Sequence, residues 1–376
     1  MGNASITAPE VAGLITSAEV KATAEAIAEW QLPSGMIPWT PNGQADAWNH
    51  TEAAMALSRV GLISEAEAAY SWLEAMQRPD GSWHQYYLPD RVKHHKLDAN
   101  VCAYVAAGVW YHYALTNDRG FLETMWRVVE PAIDFVLDLQ TQRGEILWAR
   151  HTDGTPWPFA LLTGSSSIAH SIRCAISIAH ELGHERPDWE LSAARLAHVI
   201  RSIPEAFEPK ERWAMDWYYP VLAGVVTGEA ARQHLAQRYD QFVMEGKGIR
   251  CVHDRPWITV AETCEGTMAH LAAGEFEKAR ELFSWIASQR TADGRYWTGT
   301  VYPDEERFPA AEQSTYTAAA VVLAADALDG TSAASTMFTT NEVIASLVEF
   351  ESVESIESGD TSGPTKTVES IAEATD

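Results

Sequence analysis

Two kinds of helix-forming segment alternate along this chain, and that alternation limits the fold more than any single motif does. One kind opens on a polar cluster and continues in small apolar residues. Its members are DAWNHTEAAMALSRVG from Asp46, DANVCAYVAAGVWYHYAL from Asp98, SSSIAHSIRCAISIAHELG from Ser165, DWYYPVLAGVVTG from Asp216, ETCEGTMAHLAAG from Glu262 and EQSTYTAAAVVLAADALDG from Glu312. Their starts are spaced by 52, 67, 51, 46 and 50 residues, close to one helical hairpin plus a loop. The other kind is amphipathic with a charged outer face, at 18–31, 64–77, 121–140 and 275–290, with further stretches around 188–203 and 229–243. A helix on the inside of a ring must be apolar on nearly all sides, whereas one on the outside needs a single buried stripe. Six of each predict an all-α toroid of six helical hairpins, an (α/α)6 barrel. Strand content is predicted to be small, confined to short hairpins such as those near 145–160 and 295–309.

The outer segments end alike, in WQLPSGMIPW, MQRPDGSW, LQTQRGEILW and SQRTADGRYW. In each a Gln closes the helix, a Gly makes the turn and an aromatic packs back. No domain boundary is visible before about residue 332, so 1–332 is read as one catalytic domain. From Asn341 to Asp376 nine Asp/Glu stand against one Lys, with no aromatic after Phe350, and 333–376 is predicted to be a disordered acidic tail.

The net charge of -25 repels phosphate backbones and anionic lipid, which argues against nucleic acid and membrane surfaces as partners. No apolar run is long enough to span a bilayer, and MGNASITAPEV lacks the basic and apolar regions of a signal peptide. The four cysteines, Cys102, Cys174, Cys251 and Cys264, form no CxxC and read as reduced thiols of a cytoplasmic protein. No Cys/His set has metal-ligand spacing, so neither metal nor cofactor is expected.

If the inner helices run parallel, their N-terminal ends converge at one mouth of the ring. Five of the six begin at or beside a carboxylate: Asp46, Asp98, Asp216, Glu262 and Glu312. Asp and Ser are good helix caps, so Asp98 and Asp216 alone are equally well explained as caps, whereas Glu fits that explanation less well. Several carboxylates facing one cavity suit acid/base chemistry on sugars. The 15 Trp add to this, since aromatic faces stack on pyranose C–H surfaces. Asp46, Glu262 and Glu312 are the catalytic candidates. Trp48, Asn49, His50, Trp83, Asp98, Asn100, Asp216, Trp217, Trp257, Glu265 and Tyr316 are the candidates for holding the sugar.

These motifs resemble those of the six-hairpin glycosidase superfamily. GSSSIAHSIRCAI (164–176) looks like the third hairpin of glucoamylase-like enzymes, and AEQSTYTAAAVVLAA (311–325) like their last inner helix. That likeness would put a general base at Glu312. Those enzymes carry their general acid just before the Gly-Ser-Ser, where WPFALLTGSSS has no carboxylate, so here the acid must come from elsewhere. A closer resemblance, over about residues 15–332, rests on AEWQLPSGMIPW, WNHTEAAMAL, QRPDGSWHQYY and KLDANVCAYVA. It is to an actinobacterial group often labelled prenyltransferase-like, similar to α-endomannosidases of methylated mannose polysaccharides. It implies an endo-acting, inverting hydrolase of an intracellular 3-O-methylmannose polymer, working with two carboxylates, for which Asp46 and Glu262 are the chosen pair and Glu312 the substitute base. The sequence leaves open which of the pair is acid, and whether the protein is a monomer or a dimer.

Three other readings stand beside it. QRPDGSW resembles the repeat of squalene cyclases and prenyltransferase β subunits, but the DxDD acid motif is absent and no ligand His accompanies Cys264. A sugar epimerase or isomerase of the same barrel would use paired His bases, for which His50, His84, His170 and His270 are available. A glycan binder without activity is the third.

Overall fold

A computed structural model describes residues 6–339. Thirteen helices are found among them: α1 Ser17–Ala28, α2 Ala47–Arg59, α3 Ile63–Met76, α4 Ala99–Ala103, α5 Val105–Thr116, α6 Arg119–Leu137, α7 Leu162–Leu182, α8 Pro187–Ser202, α9 Met215–Leu222, α10 Gly228–Phe242, α11 Val260–Ala272, α12 Phe276–Trp285 and α13 Thr315–Asp329. The apolar class packs as a closed cycle: α2 touches α5, α5 touches α7, then α9, α11 and α13 follow, and α13 returns to α2. Short α4 continues into α5 and shares its place in the cycle. The amphipathic class lies outside it, with α3 on α2, α6 on α4, α5 and α7, α8 on α7, α10 on α9, α12 on α11, and α1 against α13 and α2. The burial expected of each class is realised: from Thr51 to Arg59 every residue of α2 is buried, whereas α10 buries only Ala231, Leu235 and Phe242.

The Gln–Gly endings are joints between hairpins. Gln31 Nε2 donates to the turn carbonyl of Gly35 at 3.0 Å and to Glu65 in α3 at 2.9 Å. Gln77 repeats this with Gly81 at 3.0 Å and Val128 of α6 at 2.8 Å, and Gln140 with Gly144 and Ser192 of α8, both at 2.9 Å. Each Gln thus pins its own turn to the next outer helix. Gly81 is required twice over, because its φ is +85° and a Cβ would sit 2.0 Å from the Pro131 carbonyl oxygen. Gln289 departs from the pattern and accepts from Thr300 Oγ1 at 2.7 Å, while Thr23 Oγ1 donates to the Gly294 turn at 2.8 Å.

The ring is closed between its first and last inner helices. Arg59, 2% exposed, pairs with Asp326, 1% exposed, and Tyr111 donates to Asp326 Oδ2 at 2.7 Å.

Strand is short, as expected, and extends beyond the two hairpins anticipated. β1 Tyr86–Leu88 pairs with β2 Arg91–His94, and β3 Leu97–Asp98 with β4 Ala149–Arg150. β5 Val243–Met244, β6 Gly248–Arg250, β7 Trp257–Thr259, β8 Gly299–Val301 and β9 Glu306–Arg307 form one antiparallel sheet in that order. It joins two loops that sequence spacing treats separately, and it delivers the chain to the start of α11.

Met1–Thr340 is one compact unit. The segment from residue 333 to 339, expected to lie beyond the domain, packs on it, with the Phe338 ring stacked on His170 at 4.9 Å. The tail expectation for 341–376 lies outside the described residues.

Candidate active site

The first turns of all six inner segments line one cleft. Its larger half, ≈ 460 Å³, takes Asp46, Trp48 and Asn49 from α2 and its cap, Asp98 and Asn100 from α4 and its cap, Thr163 and Gly164 from α7, and Met215 and Asp216 from α9. Its smaller half, ≈ 290 Å³, takes Glu262 and Glu265 from α11, Tyr316 from α13 and Glu52 from α2, together with Trp257 and Thr298. Trp48, Asn49 and Met215 border both halves. The converging helix N-termini bring partial positive charge to this mouth, which favours the carboxylates placed there.

Asp46 is the N-cap of α2: its Oδ1 accepts from Asn49 N at 2.9 Å. Its Oδ2 accepts from Trp39 Nε1 at 2.7 Å and from Asn49 Nδ2 at 2.8 Å. Burial nevertheless raises its carboxyl above the ordinary value, against the pull of these donors. Asp98 caps α4, accepting from Asn100 N at 3.1 Å, and pairs with Lys96 at 3.2 Å. Lys96 Nζ in turn lies 3.4 Å from the centre of the Trp148 ring. Asp216 accepts from Thr163 Oγ1 at 2.5 Å and from Thr163 N at 3.2 Å. Burial raises both Asp98 and Asp216. Asp216, from the next inner helix, thus binds the Thr163 that directly precedes Gly-Ser-Ser-Ser.

Glu262 stands in the first turn of α11 after the cap residue Thr259, whose hydroxyl donates to its Oε2. The Cys251 thiol also hydrogen-bonds it. Glu312 does not open the last inner helix as expected: Ser314 is the N-cap, accepting from Thr317 N at 3.3 Å, and Glu312 lies in the preceding turn. It is tied to the cleft through Thr298 Oγ1 at 3.1 Å and Tyr316 OH at 3.5 Å, both of which donate to its Oε1.

Three expected sugar contacts lie elsewhere. His50 is 1% exposed: its Nδ1 accepts from Ile37 N at 3.0 Å and its Nε2 meets the Ala69 carbonyl at 2.9 Å. Trp83 and Trp217 are core residues whose indole N–H groups donate to Leu73 O and Leu235 O, at 2.9 and 3.0 Å. Sequence adjacency misled here, because neighbours on a helix face different ways. Residues not anticipated also line the cleft: Trp39, Tyr86, Trp148 and Phe159 in the larger half, and Glu52 in the smaller. Trp39 and Trp148 are the closing aromatics of two Gln–Gly turns, a signal present in the sequence but read only as packing. Asn100 Oδ1 is a buried acceptor in the cleft without a partner among the described residues.

None of His50, His84, His170 and His270 lines either half of the cleft, so the two His bases that an isomerase reading needs are not assembled there. Among the described residues no three His, Cys, Asp or Glu side chains are grouped to hold a metal ion, and no helix is long and apolar enough to cross a membrane.

Comparison with known proteins decides between the readings. The chain is 50% identical over 330 residues, 88% of its length and 91% of the relative's, to an MMP endo-(1,4)-3-O-methyl-α-D-mannosidase of Mycolicibacterium hassiacum. It belongs to that endomannosidase family. The protein is accordingly a glycoside hydrolase, as the sequence motifs implied. No family model matches it. Among solved structures, a glycosidase superposes with a TM-score of 0.66 at 14% identity, covering 82% of this chain and 95% of that one. A D-mannose isomerase superposes with a TM-score of 0.62 at 11% identity, covering 82% and 95%. At such identities the likeness is one of fold, shared by hydrolases and isomerases of the helical barrel type, and function must be argued from the cleft.

Proposed function

We propose that this endomannosidase hydrolyses α-(1,4)-mannosidic bonds within a 3-O-methylated mannose polysaccharide, on an (α/α)6 barrel whose domain covers at least the described residues. The observation that carries the reading is one cleft with an aromatic half that also carries Asp46, Asp98 and Asp216, and a carboxylate half with Glu52, Glu262 and Glu265, joined at Trp48 and Asn49. Methyl ethers remove hydroxyl donors and add apolar surface, and Trp39, Tyr86, Trp148, Phe159 and Trp213 offer faces for it. Unmethylated hydroxyls still need acceptors, and Asn100 Oδ1 is a buried one without a partner among the described residues. A cleft open at both halves suits a chain that continues in both directions, as endo cleavage requires.

Asp46 and Glu262 are the reacting pair in this reading. Asp46, raised by burial and held by Trp39 and Asn49, keeps the proton for the leaving oxygen. Glu262, oriented by the Thr259 hydroxyl, takes the proton of the attacking water. Such a division inverts the anomeric carbon, for which the carboxyls stand about 6.5–9.5 Å apart, against about 5–5.5 Å in retaining enzymes. Asp98 and Asp216 grip hydroxyls, and Glu312 braces Tyr316 and Thr298 at the rim. The chain is read as cytoplasmic, without metal or cofactor. Incubation with 3-O-methylated and plain α-(1,4)-mannooligosaccharides tests the proposal, with internal cleavage of the methylated series read by mass spectrometry. Release of single terminal residues, or no hydrolysis of either series, would refute it.

A further inference from the structure

Beneath the junction of the two halves lie two carboxyl groups without an assigned chemical task. Glu52 stands on α2 one turn after Trp48, whose indole N–H donates to its Oε1 at 2.9 Å, and the Tyr104 hydroxyl hydrogen-bonds it as well. Glu265 stands on α11 one turn after Glu262 and accepts from the hydroxyls of Tyr218 and Tyr219, the latter at 2.9 Å. The Trp48 ring lies between the two sets, 5.5 Å from that of Tyr104 and 6.0 Å from that of Tyr219. Both carboxyls line the carboxylate half of the cleft.

Every group that holds them is neutral. Among the described residues no Lys, Arg or His forms an ion pair with Glu52, Glu262 or Glu265. The titratable groups facing them are Asp46 from α2, Glu262 and Cys264 from α11, Tyr218 and Tyr219 from α9, Tyr104, and Cys251 between β6 and β7; Tyr316 of α13 faces Glu262. Burial pushes these tyrosines and thiols up, so none brings positive charge. Two anions here, Glu52 buried and Glu265 half-buried, beside Asp46 and Glu262, would repel without compensation, and retaining one proton removes most of that cost.

We propose that Glu52 and Glu265 share a single proton at the working pH and act as positioning residues, holding Trp48 and the tyrosines rigid where the two halves of the cleft meet. The proton balance is simple: one carboxyl O–H and one carboxylate are present together, and neither exchanges a proton with substrate. Burial first, then the neighbouring carboxylates, raises both groups, Glu52 to about 7. Their titrations therefore belong to the pair. The inference rests on the proposed site only in taking Trp48 as its centre.

The test is isotope-edited infrared titration of the substrate-free enzyme with labelled glutamate carboxyls, set beside activity. A protonated-carboxyl stretch should persist to neutral pH. Its midpoint should fall by about one pH unit or more in both Glu52→Gln and Glu265→Gln, because the surviving acid loses a like-charged neighbour. Asp46→Asn should keep a band but lower its midpoint, since the Asp46 carboxylate is itself a like-charged neighbour of Glu52. At about pH 6, Glu52→Gln should keep kcat and KM within a few-fold, since the amide copies the protonated acid. Glu52→Leu, which cannot accept from Trp48, should fall at least about tenfold below it. Absence of the band above about pH 5 in the wild type would overturn the proposal, as would a band indifferent to both Gln variants. So would a Gln variant as impaired as Leu. Should Glu52→Gln fail to fold, the wild-type and Glu265→Gln titrations still decide. No substrate enters the infrared arm, so it stands or falls separately from the roles of Asp46 and Glu262.

Discussion

Trp39 donates its indole N–H to Asp46 Oδ2 at 2.7 Å, so the aromatic that closes the first outer turn also fixes the carboxylate that opens the first inner helix. Structure and chemistry meet in that bond. Asp46→Asn should therefore lower kcat/KM at least about a hundredfold, the usual scale for losing a catalytic acid. Asn is as good an N-cap as Asp, so the melting temperature should move little. Trp39→Phe keeps the ring and loses the donor, and should cost less, about tenfold. Steady-state rates and thermal melts of the two variants check both statements.

The division of labour between Asp46 and Glu262 can be read from leaving-group dependence. On a mannooligosaccharide carrying an aryl leaving group that departs without protonation, Asp46→Asn should recover most of its rate. Glu262→Gln should stay at least about a hundredfold down on every substrate, because its water still lacks a base. Recovery by the Glu262 variant alone would exchange the two roles.

The aromatic half should discriminate methylated from plain chains. Phe159→Ala and Trp148→Ala should raise KM for methylated oligosaccharides more than for unmethylated ones, by roughly fivefold to thirtyfold, the scale of about 1–2 kcal/mol of lost apolar contact. Equal losses on both series would mean that these rings serve as general sugar platforms. Paired KM measurements on matched chain lengths give the ratio.

Stability should depend heavily on one buried ion pair. Asp326→Asn removes the nearer of the two α13 carboxylates that pair with the buried Arg59 guanidinium, and should destabilise the fold by about 3–5 kcal/mol. Asp329, which reaches Arg59 Nη2 only at 3.4 Å, offsets little of this. Denaturant unfolding gives the value. The double variant Arg59→Met/Asp326→Leu should lose less than the sum of the single ones.

The end of the described chain should matter too. Phe338 is 8% exposed and stacks on His170, so Phe338→Ala should lower the melting temperature by several degrees, as loss of a buried ring does. A chain ending at Thr336 should behave the same way. An unchanged melt in both would return the edge of the domain to about residue 332.

Periodicity made the ring legible because an inner helix has no polar face to spare. The stretch from Thr51 to Arg59 can be buried throughout only inside other helices, and the sequence says so without any contact being known. The converging carboxylates were legible for a related reason: Asp46 and Asp98 are caps, and caps mark where helices begin. What stayed hidden depends on rotation about a helix axis. Asn49 and His50 are adjacent, yet one lines the cleft and the other bonds Ile37 and Ala69 in the core. Glu52 was overlooked since it falls inside an apolar run, where a lone acid carries no signal until Trp48 and Tyr104 are seen beside it. The five-stranded sheet escaped because its strands are two or three residues long and pair across distant loops.

The Arg59–Asp326 pair, which seals α2 to α13, has a consequence for how this protein is made. A ribosome delivers Arg59 some 267 residues before its partner. Until Asp326 emerges, the nascent chain can form only a crescent, with the apolar flanks of α2 and α11 open at its two tips. Those tips are complementary to the missing helix, α13, on which both α2 and α11 pack in the finished ring. The growing chain thus passes through a stage in which the surfaces that later close the ring are its most adhesive ones, and synthesis of the last hairpin ends that exposure.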